Sequence, residues 1–189
     1  MKYKYIGVDP LTPAIGALIS GVDISTEITQ EIVEEIESAF LNHLVLFFED
    51  QKLTPSQLVD FAKRFGKIGY YPFVQGMEAQ PEVVEVVKNE DEKINFGGLW
   101  HTDTSYLPKP PASSMLYALE VPTFGGDTLF ANMYLAYESL SEEFKQLISN
   151  LSAVNSAEKP DAAVTRVHRI AEKPRDSEDI ITTAIHPIV

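Results

Sequence analysis

The sequence has no cysteine, and this absence excludes disulfide bonds, thiolate metal sites and a cysteine nucleophile. It also has few basic residues. Lysine and arginine number 15 against 28 aspartates and glutamates, so the formal net charge is −13. Such a charge argues against nucleic acid or an anionic membrane surface as a binding partner. Its simplest meaning is solubility rather than an acidic recognition surface.

Long hydrophobic runs are also lacking. No apolar run has the length needed to span a bilayer, and the opening Met-Lys-Tyr-Lys does not begin a signal-peptide hydrophobic region. We therefore expect a cytoplasmic protein with no membrane partner. The 189 residues are 44% hydrophobic and 23% charged, which predicts one globular domain over residues 1–189 with a real core.

Local patterns predict a mixture of helices and short strands. A helix N-terminus is predicted at Ser25-Thr-Glu-Ile followed by Thr29, and apolar residues at helical spacing from Ile32 continue that helix to about Asn42. A second helix is predicted from Thr54 to about Phe65. Two further helices are expected over 134–138 and 141–150. Short apolar or β-branched runs predict strands over 3–7, 14–22, 44–48, 83–87, 115–119, 128–131 and 180–185. Helices beside several short strands fit an α+β domain built around a β-sandwich or jelly roll.

The triplet His101-Thr102-Asp103 is the main candidate for chemistry. On an extended strand, residues two apart project from the same face, so His101 and Asp103 could bind one metal ion side by side. They would form two of the three ligands of a 2-His-1-carboxylate site, the arrangement typical of non-haem Fe(II) oxygenases. The triplet alone is weak, because a chain with 4 His and 28 acidic residues would contain roughly 0.6 such triplets by chance.

The residues around the triplet are more specific. Trp100, the only tryptophan, directly precedes it, and Pro110-Pro111 follow it. Two further motifs lie downstream and two upstream: Gly125-Gly-Asp-Thr128, Tyr134-Leu-Ala-Tyr-Glu-Ser-Leu-Ser141, Ile15-Gly-Ala-Leu-Ile-Ser-Gly-Val-Asp23 and His43-Leu-Val-Leu-Phe-Phe48. This ordered series resembles the taurine dioxygenase family (TauD/TfdA type) of Fe(II)/2-oxoglutarate-dependent oxygenases, over nearly the whole chain.

The resemblance implies a fold and a reaction. The fold would be a double-stranded β-helix, or jelly roll, with flanking helices. The activity would be hydroxylation of a small organic acid, such as a sulfonate or sulfate ester, next to a heteroatom, with O2 as oxidant and succinate and CO2 as co-products. Fe(II) would be held by His101 and Asp103, and 2-oxoglutarate would be contacted by Thr128. Trp100 is expected in the core, on the face opposite the metal.

In this family a longer stretch follows the segment that resembles His186-Pro-Ile-Val189. It supplies a second metal-binding histidine and an arginine for the distal carboxylate of 2-oxoglutarate, and neither has a match here. The chain is therefore interpreted as the N-terminal part of a catalytic domain, lacking its last strands. On this interpretation we expect it to show no measurable 2-oxoglutarate decarboxylation by itself, because a buried, unpaired carboxylate is costly.

Three other histidines are candidates for the third ligand. His43 lies at a helix-to-strand junction, where a structural role is favoured. His168 stands between two arginines, Arg166 and Arg169, which would oppose a cation. The family counterpart of His186 is not a ligand. The identity of the third ligand stays open.

Positions that line the substrate pocket in the family correspond to Tyr71, Asn95 and Tyr106. A taurine-specific member would carry histidine at Tyr71 and tyrosine at Val74, so taurine itself is doubtful. Two alternatives to the oxygenase are a non-catalytic metal-binding or interaction module of jelly-roll fold and a cupin-like isomerase or hydrolase. Unpaired sheet edges would favour association, so we expect a homo-oligomer.

Overall fold

The structure is a computed structural model that describes residues 3–69, 71, 73–74, 76–90, 97–158 and 181–189. Contacts within the chain divide it into two compact units, Met1–Lys67 with Met115–Glu142 and Ile68–Ser114 with Glu143–Val189. The assignment of residues 1–189 to a single domain stays a prediction. In the described ranges, no helix is both long enough and apolar enough to cross a membrane.

The first unit contains a three-stranded sheet. Its strands are β1 (Gly7–Pro10), β2 (Ala17–Ser20) and β3 (Leu46–Phe48), in the order β1-β2-β3. β1 and β2 are antiparallel, with Gly7 opposite Ser20, whereas β2 and β3 are parallel. The parallel pairing follows from the helix between β2 and β3, because a parallel pair needs a long crossover connection.

Two capped helices pack in the first unit, where the sequence predicts them. Helix α1 (Gln30–His43) begins after Thr29, whose side chain accepts a hydrogen bond from the backbone N–H of Ile32. Helix α2 (Pro55–Lys63) begins with a capping box, in which Thr54 and Gln57 satisfy each other's backbone N–H groups. The predicted start of α2 is confirmed, and α1 begins after Thr29, the last residue of its predicted N-terminal segment.

The core of the first unit lies between the sheet and these helices. Its buried members are aliphatic apart from one aromatic ring: Ile6, Ile19, Ile24, Ile28, Val33, Ile36, Ala39 and Phe61. The ring of Phe61 makes edge-to-face contacts with Phe48 and Phe65, at centroid distances of 5.8 and 5.1 Å. The predicted apolar face of α1 is therefore confirmed as the face that packs on the sheet.

The remaining elements follow in the C-terminal half of the chain. Helix α3 (Met133–Glu138) is capped by Asn132, and α4 (Glu142–Ile148) follows it. The second unit contains β4 (Ser152–Ser156) and β5 (Thr183–Pro187), which pair in antiparallel orientation. These helices and the C-terminal strand lie close to their predicted positions.

Several predicted strands are wrong. Residues 83–87, 115–119 and 128–131 have no regular secondary structure, and the first strand begins at Gly7 rather than covering 3–7. Leu116 and Leu119 are 80% and 82% exposed. The physical reason is that a β-branched or apolar run becomes a strand only where another strand pairs with it, and a short run does not specify that pairing.

Candidate metal centre

The segment that carries His101 and Asp103 is irregular, so the strand expected for these residues is wrong. His101 and Thr102 have no regular secondary structure, and a turn begins at Asp103. Thr104 has a left-handed backbone with φ of 48°, which is uncommon for a β-branched residue and bends the chain directly after the carboxylate. The two side chains nevertheless meet on one side of this irregular segment, as the strand was expected to arrange.

The two predicted ligands are close together. Nε2 of His101 lies 3.1 Å from Oδ1 of Asp103. Their side chains are 52% and 58% exposed, so an ion can reach both from solvent without crossing the protein interior. A nitrogen and a carboxylate oxygen that face each other in this way can share one divalent cation as neighbouring ligands.

The backbone settles which nitrogen of His101 is available. Nδ1 of His101 lies 2.6 Å from the carbonyl oxygen of Leu99. A carbonyl oxygen can only accept, so Nδ1 must carry the proton that forms this hydrogen bond. Nε2 is the nitrogen that faces Asp103, and with no metal ion between them it can only donate to the carboxylate oxygen Oδ1. A metal ion bound between the two side chains would take the place of that proton.

A serine that sequence reasoning missed holds the other carboxylate oxygen. The hydroxyl of Ser114 donates to Oδ2 of Asp103 over 2.6 Å, while Oδ1 faces His101. Ser114 lies eleven residues after Asp103, and no local pattern connects the two positions. Only the path of the chain between them shows that they meet.

A glycine leaves room for the histidine ring. Gly97 has a φ of 66°, and a Cβ at this position would lie 3.2 Å from Cε1 of His101. Any larger residue here would strain the backbone and crowd the imidazole. The glycine is visible in the sequence, but its contact with the histidine ring is not.

No third ligand is found within the described part of the chain, where no group of three His, Cys, Asp or Glu side chains could hold a metal ion. The backbone oxygen of His43 accepts hydrogen bonds at the end of α1, and Nε2 of His186 lies 2.9 Å from the carbonyl oxygen of Leu107. The predicted position of His43 at a helix-to-strand junction is confirmed. His168 lies outside the described residues.

Two of the three predicted substrate residues belong to one aromatic cluster. The ring of Phe73 makes edge-to-face contacts with Tyr71 and Tyr106, at centroid distances of 5.6 and 5.5 Å. Tyr106 is buried, whereas Tyr71 and Phe73 are half-buried. Sequence reasoning missed Phe73, although it stands two residues from Tyr71. Asn95, the third predicted residue, lies outside the described residues.

The remaining predicted positions are exposed. Thr128 follows two glycines with positive φ, Gly125 and Gly126, and has no regular secondary structure. It belongs to the first unit, whereas His101 and Asp103 belong to the second. Its role toward 2-oxoglutarate stays a prediction. Trp100 is 71% exposed, so its predicted place in the core is wrong, because this irregular segment does not alternate its side chains between two faces as a strand would.

Comparisons with known proteins agree with the motif resemblance. The model of a family described as taurine catabolism dioxygenase TauD, TfdA matches residues 7–189. An alkylsulfatase from Acinetobacter baylyi is 38% identical over 149 residues, which are 78% of this chain and 46% of the relative. An alpha-ketoglutarate-dependent sulfate ester dioxygenase from Pseudomonas putida is 32% identical over 171 residues, 87% of this chain and 56% of the relative.

Solved structures agree as well. The crystal structure of a taurine dioxygenase from Burkholderia xenovorans matches with a TM-score of 0.73 and 30% identity, over 97% of this chain and 58% of that one. The predicted fold class, an α+β jelly roll with flanking helices, is therefore confirmed. The chain spans about half the length of the curated relatives it matches.

Proposed function

Because the chain belongs to the taurine catabolism dioxygenase family, we propose that it carries the metal-binding part of an Fe(II)/2-oxoglutarate-dependent dioxygenase. The proposed reaction hydroxylates a small organic acid next to a heteroatom, consumes O2 and 2-oxoglutarate, and releases succinate and CO2. His101 and Asp103 are the proposed metal ligands. The observation that carries the proposal is the 3.1 Å approach of Nε2 of His101 to Oδ1 of Asp103.

The donor set suits the proposed metal. One imidazole nitrogen and one carboxylate oxygen are two of the three ligands that a non-haem Fe(II) site uses. Fe(II) bound there would supply the redox centre at which O2 is reduced and 2-oxoglutarate is decarboxylated. His101 would contribute Nε2, with its ring held through Nδ1 by the carbonyl oxygen of Leu99, and Asp103 would contribute negative charge.

We assign a smaller part to Thr128. A hydroxyl at this position can donate one hydrogen bond to the distal carboxylate of 2-oxoglutarate, as the family motif implies. One such neutral bond contributes on the order of 1 kcal/mol net, so it cannot hold that carboxylate by itself. A cationic group is needed as well, since charge-assisted hydrogen bonds are roughly twice as strong as neutral ones.

The proposed substrate is a sulfate ester, a sulfonate or a related small acid. Two observations support this substrate class. The similar protein from Pseudomonas putida is a sulfate ester dioxygenase, and Tyr71, Phe73 and Tyr106 form an aromatic cluster. An aromatic wall suits the organic part of such a molecule, because it excludes water from the carbon–hydrogen bond to be attacked. Asn95 is a further proposed substrate residue.

Metal binding tests the proposal most directly. We expect the chain to bind Mn(II), used as an air-stable stand-in for Fe(II), and His101→Ala and Asp103→Ala each to abolish the binding measured by calorimetry. Thr102→Ala is the matched control, since this exposed residue lies between the two ligands. Binding should be weak, because no third ligand converges among the described residues. Tight binding that persists in His101→Ala would show that the metal lies elsewhere.

Turnover separates the oxygenase from the non-catalytic alternative. The chain alone should form no succinate. Succinate formed from 2-oxoglutarate with Fe(II), ascorbate and O2 by the chain with an added C-terminal segment that bears a histidine and an arginine, and lost in Asp103→Ala, would establish the oxygenase. Metal binding without succinate, even when an added C-terminal segment bears a histidine and an arginine, would favour the non-catalytic metal-binding module.

A further inference from the structure

We propose that Ser114 is a positioning residue for Asp103. Its hydroxyl holds carboxylate oxygen Oδ2, so that Oδ1 alone is presented to the metal ion beside Nε2 of His101. The inference rests on the proposed function, because it assumes that Asp103 is a metal ligand. It adds a residue that the sequence motifs do not include.

The contact between Ser114 and Asp103 is short and directional. The hydroxyl oxygen lies 2.6 Å from Oδ2, a distance typical of a hydroxyl that donates to an ionised carboxylate. Bonds of this kind are stronger than those between neutral groups, and the side chain of Asp103 is more than half exposed. Water can reach this exposed carboxylate but does not fix its direction, so the hydrogen bond from Ser114 supplies the restraint.

The two ends of the carboxylate consequently have different surroundings. Oδ1 faces the imidazole of His101 at 3.1 Å, and Oδ2 faces the serine hydroxyl. A carboxylate free to rotate about its last bond could offer a metal either oxygen, or both. With Oδ2 engaged, Asp103 is held ready to bind through one oxygen, which leaves more coordination positions for other ligands.

Each proposed ligand is oriented by one hydrogen bond to a group that would not itself bind the metal. Nδ1 of His101 donates to the carbonyl oxygen of Leu99, and Oδ2 of Asp103 accepts from Ser114. Partners of this kind fix the direction of a ligand and reduce the freedom that it loses on binding a metal. Their removal typically lowers metal affinity by about 10- to 100-fold.

A purely structural role is the competing explanation. Ser114 could serve only to hold the segment after Asp103 in its path. In that case, its removal would lower stability and leave the metal environment unchanged in molecules that remain folded. A measurement on the bound metal therefore decides between the two roles.

The experiment compares Ser114→Ala, Ser114→Thr and Ser113→Ala in the full chain. Mn(II) affinity is measured by calorimetry, and the visible spectrum of the Co(II) complex reports on ligand geometry. We expect Ser114→Ala to weaken Mn(II) binding at least about tenfold and to change the Co(II) spectrum. Ser114→Thr, which keeps a hydroxyl, should restore both. Ser113→Ala is the matched control, an adjacent exposed serine, and should behave as the unchanged protein.

The outcomes distinguish this inference from the proposed function. If Asp103→Ala abolishes binding but Ser114→Ala binds Mn(II) normally with an unchanged Co(II) spectrum, the positioning role is overturned and the metal site stands. If Asp103→Ala itself binds normally, the proposed metal site is wrong. Equal losses in Ser113→Ala and Ser114→Ala would also overturn the positioning role, because they would indicate a general disturbance of the segment.

Discussion

At the scale of single residues, the candidate centre depends on contacts that lie outside the ligand motif. His101 and Asp103 are the ligands proposed from the sequence, but Leu99 and Ser114 engage Nδ1 and Oδ2, so that Nε2 and Oδ1 face each other. These contacts are made by a backbone carbonyl and a common hydroxyl. Neither is distinctive in a sequence, which explains why only the structure revealed them.

Gly97 provides a test at the same scale. We expect Gly97→Ala to weaken Mn(II) binding, because a Cβ would crowd the His101 ring at 3.2 Å and a φ of 66° disfavours any other residue. The left-handed backbone should also cost about 1–2 kcal/mol of stability. Calorimetric titration with Mn(II) and thermal unfolding would measure both effects.

Gly125 is the control. It also has a positive φ, 81°, but no atom lies within 4 Å of a Cβ built there, so Gly125→Ala should carry the backbone cost without weakening Mn(II) binding. Equal losses of Mn(II) binding in the two variants would contradict the crowding argument.

At the scale of elements, helix α1 holds the segment that precedes β1 through one side chain. The carboxylate of Glu35, on α1, accepts three backbone N–H groups of Lys4, Tyr5 and Ile6 at 2.7, 2.9 and 3.2 Å. Desolvation raises the pKa of Glu35, but these three donors outweigh it and hold the pKa below its ordinary value. The helix thereby fixes the chain that leads into β1.

This shift predicts a pH dependence of stability. A carboxylate whose pKa is lowered by folding stabilises the folded state above its ordinary pKa, and the stabilisation disappears as the pH falls through the folded-state pKa. Glu35→Gln should therefore unfold at a lower temperature than the unchanged protein at pH 7. The difference should shrink below the ordinary glutamate pKa of 4.5 and vanish at lower pH.

Thermal unfolding followed by circular dichroism at neutral and acidic pH would measure this difference. Glu37→Gln, an exposed position on the same helix, is the matched control and should show a much smaller difference at pH 7. If the unfolding temperatures of Glu35→Gln and the unchanged protein differ by the same amount at every pH, the shape of the side chain rather than its charge explains the difference.

The sequence predicts helices better than strands, because the two depend on interactions between residues at different distances along the chain. The starts of α1 and α2 follow from Thr29 and Thr54, whose side chains bond to backbone groups a few residues away. The strand expected over 83–87 has no regular structure, since a strand requires a distant partner. Local chemistry therefore predicts helices well and short strands poorly.

At the scale of the whole molecule, the described surface carries many apolar side chains. In the first unit, the segment 116–134 exposes eight large ones: Leu116, Leu119, Val121, Phe124, Leu129, Phe130, Met133 and Tyr134. Phe124 is 88% exposed. Exposed apolar residues concentrated in one stretch are typical of surfaces that associate with another protein.

We therefore predict that the 189-residue chain self-associates at micromolar concentration, in agreement with the expected homo-oligomer. Light scattering should give a mass above 21.1 kDa, and Leu119→Lys with Phe124→Lys should lower that mass. Leu41→Lys is the control, because Leu41 is an isolated exposed leucine on α1. A monomer that melts sharply and cooperatively would contradict the prediction.

The sequence alone determined the family and the identity of the proposed ligands. The His101-x-Asp103 spacing and the ordered motifs around it are written in neighbouring residues, so they hold whatever path the chain takes in space. The absence of cysteine likewise limits the possible chemistry in any fold. The composition of the chain and the local order of its residues are enough for conclusions of this kind.

The tertiary structure decided how those residues meet. It has an irregular segment at 101–102 and a turn from Asp103 where a strand was expected. It also exposed Trp100, placed Phe73 between Tyr71 and Tyr106, and brought Ser114 to Asp103. Each of these outcomes depends on where residues some distance apart along the chain come to lie. Hydrophobic periodicity and capping act over a few residues, so they carry no information about such contacts.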